Sequence, residues 1–466
     1  MALDFETYQS PFTWRYGSLQ IRTIWSEVNK RRLWRRLWLA LAEVQAEFGL
    51  VQQEQVDNLR THVDEIDIPR ALEIEAEIHH DLMAELKVFA EQARLGGGIL
   101  HLGATTADIT DNADVLRLRQ SLDLLLAGLR SLLLAFSDQI DAWADMPLMA
   151  FTHIQPAEPS TLGYRLAQYA QDLLQDYRSL SSRRAALRGK GFKGAVGTGA
   201  SYAELLGTEN LSRFESRLSA KLDLEFYPVT TQIYPRKQDY QLISALAGVG
   251  GSLYKFAFDL RLMQSSPVGE IGEPFGKKQV GSSAMPFKQN PVHAEKINSL
   301  GRALAQMPRL AWDNAAHSLL ERTLDDSANR RSLLPEACLI TDELLRTAAR
   351  IVEGLRVNED GLKRNLARYA PFAAVERVLM ALGKCGADRQ VMHNHLRQLA
   401  MEAWGKVQAG QPNPLPDQIA NDTVLLGYLS ETSLQALMDV QGYLGDAPQR
   451  ARAFAKQIRS ELLSDY

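Results

Sequence analysis

The feature that most constrains this 466-residue chain is a set of three long segments in which apolar residues recur at helical spacing. The segments run from about 113 to 144, from 160 to 187 and from 239 to 263. The first covers ~32 residues, which is ~48 Å of helix, and clean two-residue alternation is almost absent from the chain. An apolar surface of that length needs several helical neighbours, including, we expect, helices of other subunits. The sequence therefore predicts an all-α fold.

Shorter helical periods lie on either side of these three segments. One runs from 24 to 48 and another from about 71 to 94, and several short ones follow residue 358 and are divided by a Gly/Pro-rich turn at 410–416. A chain of this length exceeds a single hydrophobic core. We predict three helical domains, 1–105, 106–357 and 358–466, with the long-helix bundle in the central one.

Composition restricts the classes of partner. The net charge is −4 with 23% charged residues, so the chain has no general attraction to nucleic acid or to an anionic membrane. Two cysteines, Cys338 and Cys385, exclude a disulfide scaffold and indicate a reducing compartment. The N-terminus lacks the pattern of a signal peptide, and no apolar run reaches the ~20 residues that span a bilayer. We expect a soluble, cytoplasmic protein.

The polar segment 281–291, GSSAMPFKQNP, precedes a predicted helix at 292–310. The residues before it carry glycines and prolines without an apolar period, which predicts a mobile loop. Ser282, Ser283 and Lys288 therefore come just ahead of a helix N-terminus, where free N–H groups and the helix dipole favour an anion. Two interpretations are open on spacing alone. A serine there commonly caps the helix in a surface loop, or the place holds a substrate carboxylate or an ionised serine.

Other polar motifs lie at the ends of predicted helices, and each also has an ordinary structural interpretation. Thr105 and Thr106 precede the first long helix, as capping residues do. His153 lies in a proline-containing loop, where a histidine is commonly a satisfied loop residue. His79 and His80 would point about 100° apart on one helix and have no second ligand one turn on, so the sequence predicts no metal site.

Two further segments are candidates for anion binding. Residues 189–201 are glycine-rich, but they lack the Walker order and a preceding strand, so we reject a phosphate loop and predict no cofactor. Residues 321–331, ERTLDDSANRR, are unusually polar between two apolar helices. Ser327 and Arg331 would share one face of a helix, and the planar fork of arginine suits phosphate or carboxylate. An intrahelical Arg–Asp network would account for Arg330 equally well.

The segment 281–291 fits every fixed position of the pattern G-S-S-x-M-P-x-K-x-N-P and so resembles the signature loop of the fumarase/aspartase superfamily. Members of that superfamily eliminate fumarate from a substituted succinate. The segments around residues 15, 80, 105, 153, 232 and 322–331 extend the resemblance to the adenylosuccinate lyase family, over nearly the whole chain. The resemblance implies that Ser282 is the catalytic base and His153 the catalytic acid. It implies these substrate-binding residues: Arg15, Tyr16, His79, His80, Asp81, Thr105, Thr106, Gln232, Lys288, Asn290, Lys296, Arg322, Ser327 and Arg331.

The same resemblance implies an activity and an assembly. The activity is β-elimination of fumarate from adenylosuccinate, giving AMP, and from the related succinyl-carboxamide ribotide (SAICAR, giving AICAR). The assembly is a homotetramer whose active sites are shared between subunits. A close member of the family has arginines where His79 and Lys296 stand, and the loss of the arginine fork at Lys296 bears on the preference between the two substrates. The alternatives are another lyase or a cycloisomerase of the superfamily, and a structural helical bundle without activity.

Overall fold

The computed structural model describes residues 6–463 and confirms the all-α fold. Its helices are Pro11–Trp14 (α1), Leu19–Ile24 (α2), Glu27–Glu47 (α3), Gln53–His62 (α4), Ile68–Ile78 (α5), Asp81–Gln92 (α6), Thr106–Ala142 (α7), Leu162–Ala185 (α8), Ala200–Leu206 (α9), Leu211–Leu222 (α10), Lys237–Gln264 (α11), Val292–Ala316 (α12), Ser327–Glu353 (α13), Glu359–Lys384 (α14), Arg389–Gln408 (α15), Leu415–Ala420 (α16), Thr423–Leu426 (α17), Glu431–Met438 (α18) and Ala447–Leu463 (α19). Short 3₁₀ turns lie at Gly97–Ile99 and Thr208–Asn210. The strands are Pro147–Thr152 (β1), Gln155–Thr161 (β2), Ile271–Gly272 (β3) and Arg356–Val357 (β4).

The long helices lie close to their predicted bounds, with one clear difference at the start of α7. The sequence predicts a polar lead-in before a helix from about 113, whereas α7 begins at Thr106. The polar residues of this stretch bond within the helix: the Thr110 hydroxyl donates to the carbonyl of Thr106, and the Asn112 amide donates to that of Asp108. These side chains therefore serve the first turns of α7 rather than a separate loop.

The chain divides into two compact units, and the division falls within the long helices. Unit 1 comprises Met1–Leu129, Gln175–Gly251 and Ser299–Arg346, and unit 2 comprises Arg130–Leu174, Ser252–Asn298 and Thr347–Tyr466. The three domains 1–105, 106–357 and 358–466 remain a prediction.

In unit 1, the core forms around α3, which buries Leu37, Trp38 and Val44 and packs against α10. The indole N–H of Trp38 donates to Nδ1 of His101 over 3.0 Å, so its polar edge is satisfied inside the core. Buried charge lies beside this apolar stripe. The fully buried carboxylate of Glu85 accepts from Arg31 over 3.0 Å and from Arg35 over 2.6 Å, which pairs the acid with two cations.

The single helix predicted from 71 to 94 is wrong, because the structure breaks it into α5 and α6. His79 takes a left-handed backbone conformation (φ 54°), and its N–H closes α5 on the carbonyl of Glu75 over 2.8 Å. His80 then caps α6, with its Nδ1 accepting from the N–H of Met83 over 3.3 Å. A glycine or asparagine usually occupies such a left-handed position, so the sequence carried no breaking signal there.

In unit 2, β1 and β2 form an antiparallel hairpin that packs against α14. The loop predicted around His153 is therefore a hairpin, and α8 begins after it. Pro156 and Pro159 in β2 argue against a strand on sequence grounds, because proline lacks the N–H that a central strand donates. A β-bulge between Met149 and Phe151 adds to the irregularity. A separate apolar cluster around Leu382, Leu396 and Leu425 holds the C-terminal helices together.

Within residues 6–463, α7 is long and apolar enough to cross a membrane by length and composition alone. Core helices of soluble proteins pass the same test, and Leu122, Leu129 and Phe136 on α7 are fully buried in the protein. Both cysteines are free thiols: Cys338 is buried and Cys385 exposed.

Candidate active site

A polar cavity of about 480 Å³ lies in unit 1 and gathers more than half of the predicted substrate-binding residues. The cavity-lining residues that the sequence predicted are His79, His80, Asp81, Thr106, Gln232, Arg322, Ser327 and Arg331. They come from four separate segments: the α5–α6 junction, the start of α7, the segment before α11, and residues 322–331. A concave, strongly polar site supplied by distant parts of the chain is a good candidate for ligand binding.

Local structure explains how residues 321–331 present their side chains. Ser327 and Arg331 both lie on α13, one turn apart, and both line the cavity, as the helical spacing predicted. Arg322 precedes the helix and donates from Nη1 to Oδ1 of Asp326 over 2.6 Å. Gln232 lies on a neighbouring segment, and its backbone N–H donates to the carbonyl of Glu321 over 3.3 Å.

Two predicted substrate residues form an ion pair with each other. Arg331 donates from Nη2 to Oδ2 of Asp81 over 2.9 Å. Burial alone would raise the pKa of Asp81, but the nearby Arg331 guanidinium and the N–H of Leu82 hold that pKa below its usual value. The arginine side chain is 61% exposed, so its remaining donors are open to an anionic ligand.

A buried ion network that the sequence did not predict forms part of the cavity wall, because Asp111, Arg236 and Arg330 belong to it and also line the cavity. The guanidinium of Arg236 donates to both carboxylate oxygens of Asp111, over 2.9 and 3.1 Å, and from Nε to Asp326 over 2.6 Å. Arg330 donates to Asp239 over 2.9 Å and to the hydroxyl of Tyr234 over 2.7 Å. The Arg–Asp network that the sequence allowed for Arg330 is therefore present, but it links distant segments.

Three of the predicted residues of unit 1 do not line this cavity. Arg15 is exposed at the end of α1, with its guanidinium over the ring of Trp14. Tyr16 follows it, and its ring packs against Phe12. Thr105 lies just before α7, where its backbone N–H donates to Oδ2 of Asp108 over 3.0 Å. The roles of these three residues remain predictions.

In unit 2, the signature loop folds tightly around Ser282. The N–H groups of Ala284 and Met285 donate to Oγ of Ser282 over 3.3 and 3.1 Å. The side-chain amide of Asn290 donates to the carbonyl of Gly281 over 2.9 Å and closes the loop. Gly281 is required there, because a Cβ would lie 2.1 Å from the carbonyl oxygen of Lys288. Two backbone N–H donors at one oxygen are the arrangement that stabilises a serine alkoxide.

The N-terminus of α12, just beyond this loop, is occupied by a side chain of the protein itself. The buried carboxylate of Glu273 accepts from the N–H of His293 (3.0 and 3.1 Å) and of Ala294 (2.9 Å). Burial raises the pKa of Glu273, and the two N–H groups partly oppose that rise. The first N–H groups of α12 therefore bind Glu273, which corrects the expectation that this helix end is free for a substrate or for Ser282.

His153 lies at the tip of the β1–β2 hairpin. His153 and Ile154 form its two-residue turn, and both have left-handed backbone conformations, with φ of 53° and 61°. Turns of this kind favour Asn and Gly, and a β-branched residue in this conformation is strained. The turn exposes the imidazole to solvent. Lys288 is exposed in the signature loop, and Lys296 lies in the first turns of α12.

Sequence reasoning missed Lys30, Asp111, Arg236, Asp326 and Glu273. Lys30 lines the cavity and donates to Glu27 over 2.7 Å, yet in the sequence it is one of several basic residues on α3. Asp111, Arg236 and Glu273 pair with partners 20 or more residues away, which no local pattern reveals. Asp326 pairs with Arg322, four residues before it, and also with the distant Arg236. Among residues 6–463, no group of three or more His, Cys, Asp or Glu is arranged to hold a metal ion.

Comparison with known proteins identifies the class. Residues 19–304 match the family described as Lyase, and residues 371–454 match that described as Adenylosuccinate lyase C-terminus. The chain thus belongs to the lyases of the fumarase/aspartase superfamily. It is 35% identical to the adenylosuccinate lyase of Schizosaccharomyces pombe, over 99% of this chain and 97% of the relative. It is also 35% identical to that of Saccharomyces cerevisiae, over 99% and 97%. Within the superfamily, the chain belongs to the adenylosuccinate lyase family.

Solved structures show the same fold. The 3-carboxy-cis,cis-muconate lactonizing enzyme of Pseudomonas putida superposes with a TM-score of 0.84 at 26% identity, over 97% of this chain and 100% of that one. A fumarate lyase from Mesorhizobium gives a TM-score of 0.84 at 24% identity, over 97% and 99%. The architecture is therefore common to enzymes with different names, and the distinction among them depends on the site residues.

Proposed function

We propose that this protein is an adenylosuccinate lyase that cleaves adenylosuccinate to AMP and fumarate and acts likewise on the succinyl-carboxamide ribotide. The observation that carries the proposal is the cavity of unit 1, which collects the histidine, aspartate, threonine, glutamine, serine and arginines expected for a succinyl nucleotide. Full-length similarity to adenylosuccinate lyases supports the same conclusion.

The reaction needs a base and an acid on opposite sides of the breaking C–N bond. In our proposal Ser282 removes the proton next to a carboxylate, which leaves an aci-carboxylate, and His153 protonates the departing nitrogen. A serine acts as a base only when its alkoxide is stabilised. The N–H groups of Ala284 and Met285 support this role, and the ammonium of Lys288 in the same loop would add to it.

The cavity supplies charge that suits the substrate. We propose that Arg331 and Ser327 bind the phosphate together with Arg15 and Tyr16. Thr105 and Thr106 would hold the succinyl carboxylates, and Gln232 would contact the substrate. Arg331 would then exchange its ion pair with Asp81 for a phosphate, and bidentate arginine–phosphate bonds are strong. Binding energy from the phosphate, remote from the reacting bond, orients the substrate.

We further propose a cytoplasmic homotetramer that brings residues from different subunits into each active site and that does not bind nucleic acid or membranes. Exposed apolar side chains on the long helices support such an assembly: Phe258 on α11 is 52% exposed and Trp312 on α12 is 45% exposed. Arg15, Tyr16, Thr105, Asn290 and Lys296 would then complete sites in the assembled protein.

The test is to incubate the purified protein with adenylosuccinate and to follow both the absorbance change and fumarate release. We expect the parent protein to turn over adenylosuccinate. In Ser282→Ala and in His153→Ala the turnover rate should fall by roughly 10²–10⁴-fold, the range expected for a general acid or base. Ser283→Ala is the matched control, because it removes a neighbouring exposed hydroxyl from the same loop. A parent protein that turns over argininosuccinate or a carboxymuconate but not adenylosuccinate would refute the assignment.

Shared sites have a separate test. Ser282→Ala and His153→Ala protein, each inactive alone, are mixed after mild dissociation and reassembly. If each active site takes these residues from different subunits, mixed tetramers contain intact sites and activity returns. If both residues come from one subunit, the mixture stays inactive and the shared-site proposal is wrong.

A further inference from the structure

We propose that Asp326, a buried residue behind the cavity wall, is a positioning residue that holds Arg322 in the geometry that binds substrate. The inference rests on the proposed function, in which Arg322 contacts the nucleotide. Asp326 immediately precedes Ser327, the first residue of α13, and is only 4% exposed. It therefore cannot itself reach a ligand, but both Arg322 and Ser327 line the cavity.

The carboxylate of Asp326 divides its two oxygens between two arginines. Oδ1 accepts from Nη1 of Arg322 over 2.6 Å, and Oδ2 accepts from Nε of Arg236 over 2.6 Å. Arg322 is thereby fixed through one nitrogen, and its other N–H groups remain to donate to an anion. Because guanidinium bonds are planar and directional, anchoring one nitrogen sets the direction of the rest.

Arg236 carries this constraint to a second wall of the cavity. Its Nη1 and Nη2 form a bidentate pair with Asp111, on the second turn of α7. Asp111 also accepts from the backbone N–H of Tyr234 over 3.0 Å, two residues after Gln232. Asp111, Arg236 and Asp326 thus join three cavity-lining segments: the start of α7, the Gln232 segment and residues 322–331.

The paired charges of this buried network keep its geometry fixed. Burial raises the pKa of Asp326, whereas the charges of Arg236, Arg330 and Arg322 lower it by more. The pKa of Asp326 therefore lies below its usual value. The carboxylate therefore stays ionised at neutral pH and keeps both arginines bound. A satisfied buried network of charged groups is stiff, because any rearrangement leaves a buried charge without a partner.

A matched control exists in the same network. Asp239 is 1% exposed and, like Asp326, accepts from a buried arginine: Arg330 donates to it over 2.9 Å, and Tyr234 donates over 2.6 Å. Its partners are Arg330 and Tyr234 rather than a predicted substrate residue. Asp326→Asn and Asp239→Asn thus remove equivalent buried charges, and only the first releases Arg322.

The experiment compares the two variants in steady-state kinetics with adenylosuccinate, in calorimetric binding of AMP and in melting temperature. For Asp326→Asn we expect KM and the Kd of AMP to rise about 10²-fold, the effect expected when Arg322 loses one or two charge-assisted hydrogen bonds to the ligand. For Asp239→Asn we expect a similar fall in melting temperature but a rise in KM of less than about tenfold. Equal effects of the two variants on KM would overturn the inference.

Two further measurements separate positioning from structural support. Combining Asp326→Asn with Arg322→Ala should add little to the loss caused by Arg322→Ala alone, since the first acts through the second. Fully additive losses would refute the inference. If Asp326→Asn does not fold, Asp326→Glu replaces it: the charge is kept but displaced by one methylene, so KM should still rise, and a parental KM would contradict positioning.

AMP binding also separates the two proposals. A parent that does not turn over adenylosuccinate refutes the function, whereas the AMP comparison still decides the role of Asp326.

Discussion

Glu273 offers a direct test of how the segment before the signature loop is anchored to α12. Its buried carboxylate accepts from two backbone N–H groups, those of His293 and Ala294, within 2.9–3.1 Å. In most helices the first N–H groups lack intrahelical partners and exchange quickly with solvent. Here they are bound to a carboxylate, so the protection of these two amides depends on one side chain that lies 20 residues earlier in the sequence.

The magnitude follows from the two bonds. Hydrogen bonds to a charged group contribute ~1.5–3 kcal/mol each, and replacing Glu273 by alanine leaves two donors without that partner. We expect the local opening free energy at the start of α12 to fall by about 3 kcal/mol in Glu273→Ala. Every 1.4 kcal/mol is a factor of ten, so the amides of His293 and Ala294 should exchange about 100-fold faster.

The assay is amide hydrogen exchange by mass spectrometry on a peptide that covers the start of α12, with a peptide from the middle of α13 as reference. Glu273→Gln is the matched control: its side-chain oxygen still accepts one bond, so we expect a loss of ~1.5 kcal/mol and exchange about tenfold faster. If exchange of the two amides is unchanged in Glu273→Ala while the reference peptide is also unchanged, the anchoring role is refuted.

Two other predictions concern unit 2. Ile154→Gly should stabilise the hairpin by about 0.5–1 kcal/mol and raise the melting temperature, because the cost of a left-handed β-branched residue exceeds the backbone entropy of glycine. Ile154→Ala retains the Cβ and should give no such gain, and equal melting temperatures for the two variants would contradict the strain. Glu376 and burial raise the pKa of Glu158 to about 7. The folded protein then keeps a proton that the unfolded chain loses near pH 4.5. The free energy of unfolding should therefore fall as the pH rises from about 4.5 to about 7. The fall should be under ~1 kcal/mol, because the side chains of Glu158 and Glu376 are both exposed to solvent. In Glu158→Gln the melting temperature should not show this decrease between pH 4.5 and 7.

The sequence was most informative where one helix face determines the structure. Apolar spacing predicted the long helices to within a few residues at most ends, and the four-residue step placed Ser327 and Arg331 on one face of α13. It was least informative where a distant residue decides the local conformation. Nothing in the signature loop indicates that Glu273 occupies the N-terminus of α12, and nothing near Arg322 indicates that Asp326 links it to Arg236 and Asp111. Such pairings are tertiary, and spacing along the chain does not encode them.

Two of the predicted site residues have a backbone conformation that is unusual for their residue type. His79 and His153 both have left-handed backbones, at the α5–α6 break and at the hairpin tip, where propensity would select Asn or Gly. The sequence placed His79 inside a helix and His153 in a loop, and it predicted a left-handed backbone at neither, because a histidine gives no signal of one. A strained backbone persists only where surrounding structure imposes it, and strain of this kind collects at binding and catalytic sites. At both positions the strained backbone also orients an imidazole, one lining the cavity and one at an exposed turn. Among residues 6–463, His101, Ile154, Asp223 and Leu320 share this backbone conformation, so it accompanies the two predicted histidines without by itself identifying a site residue.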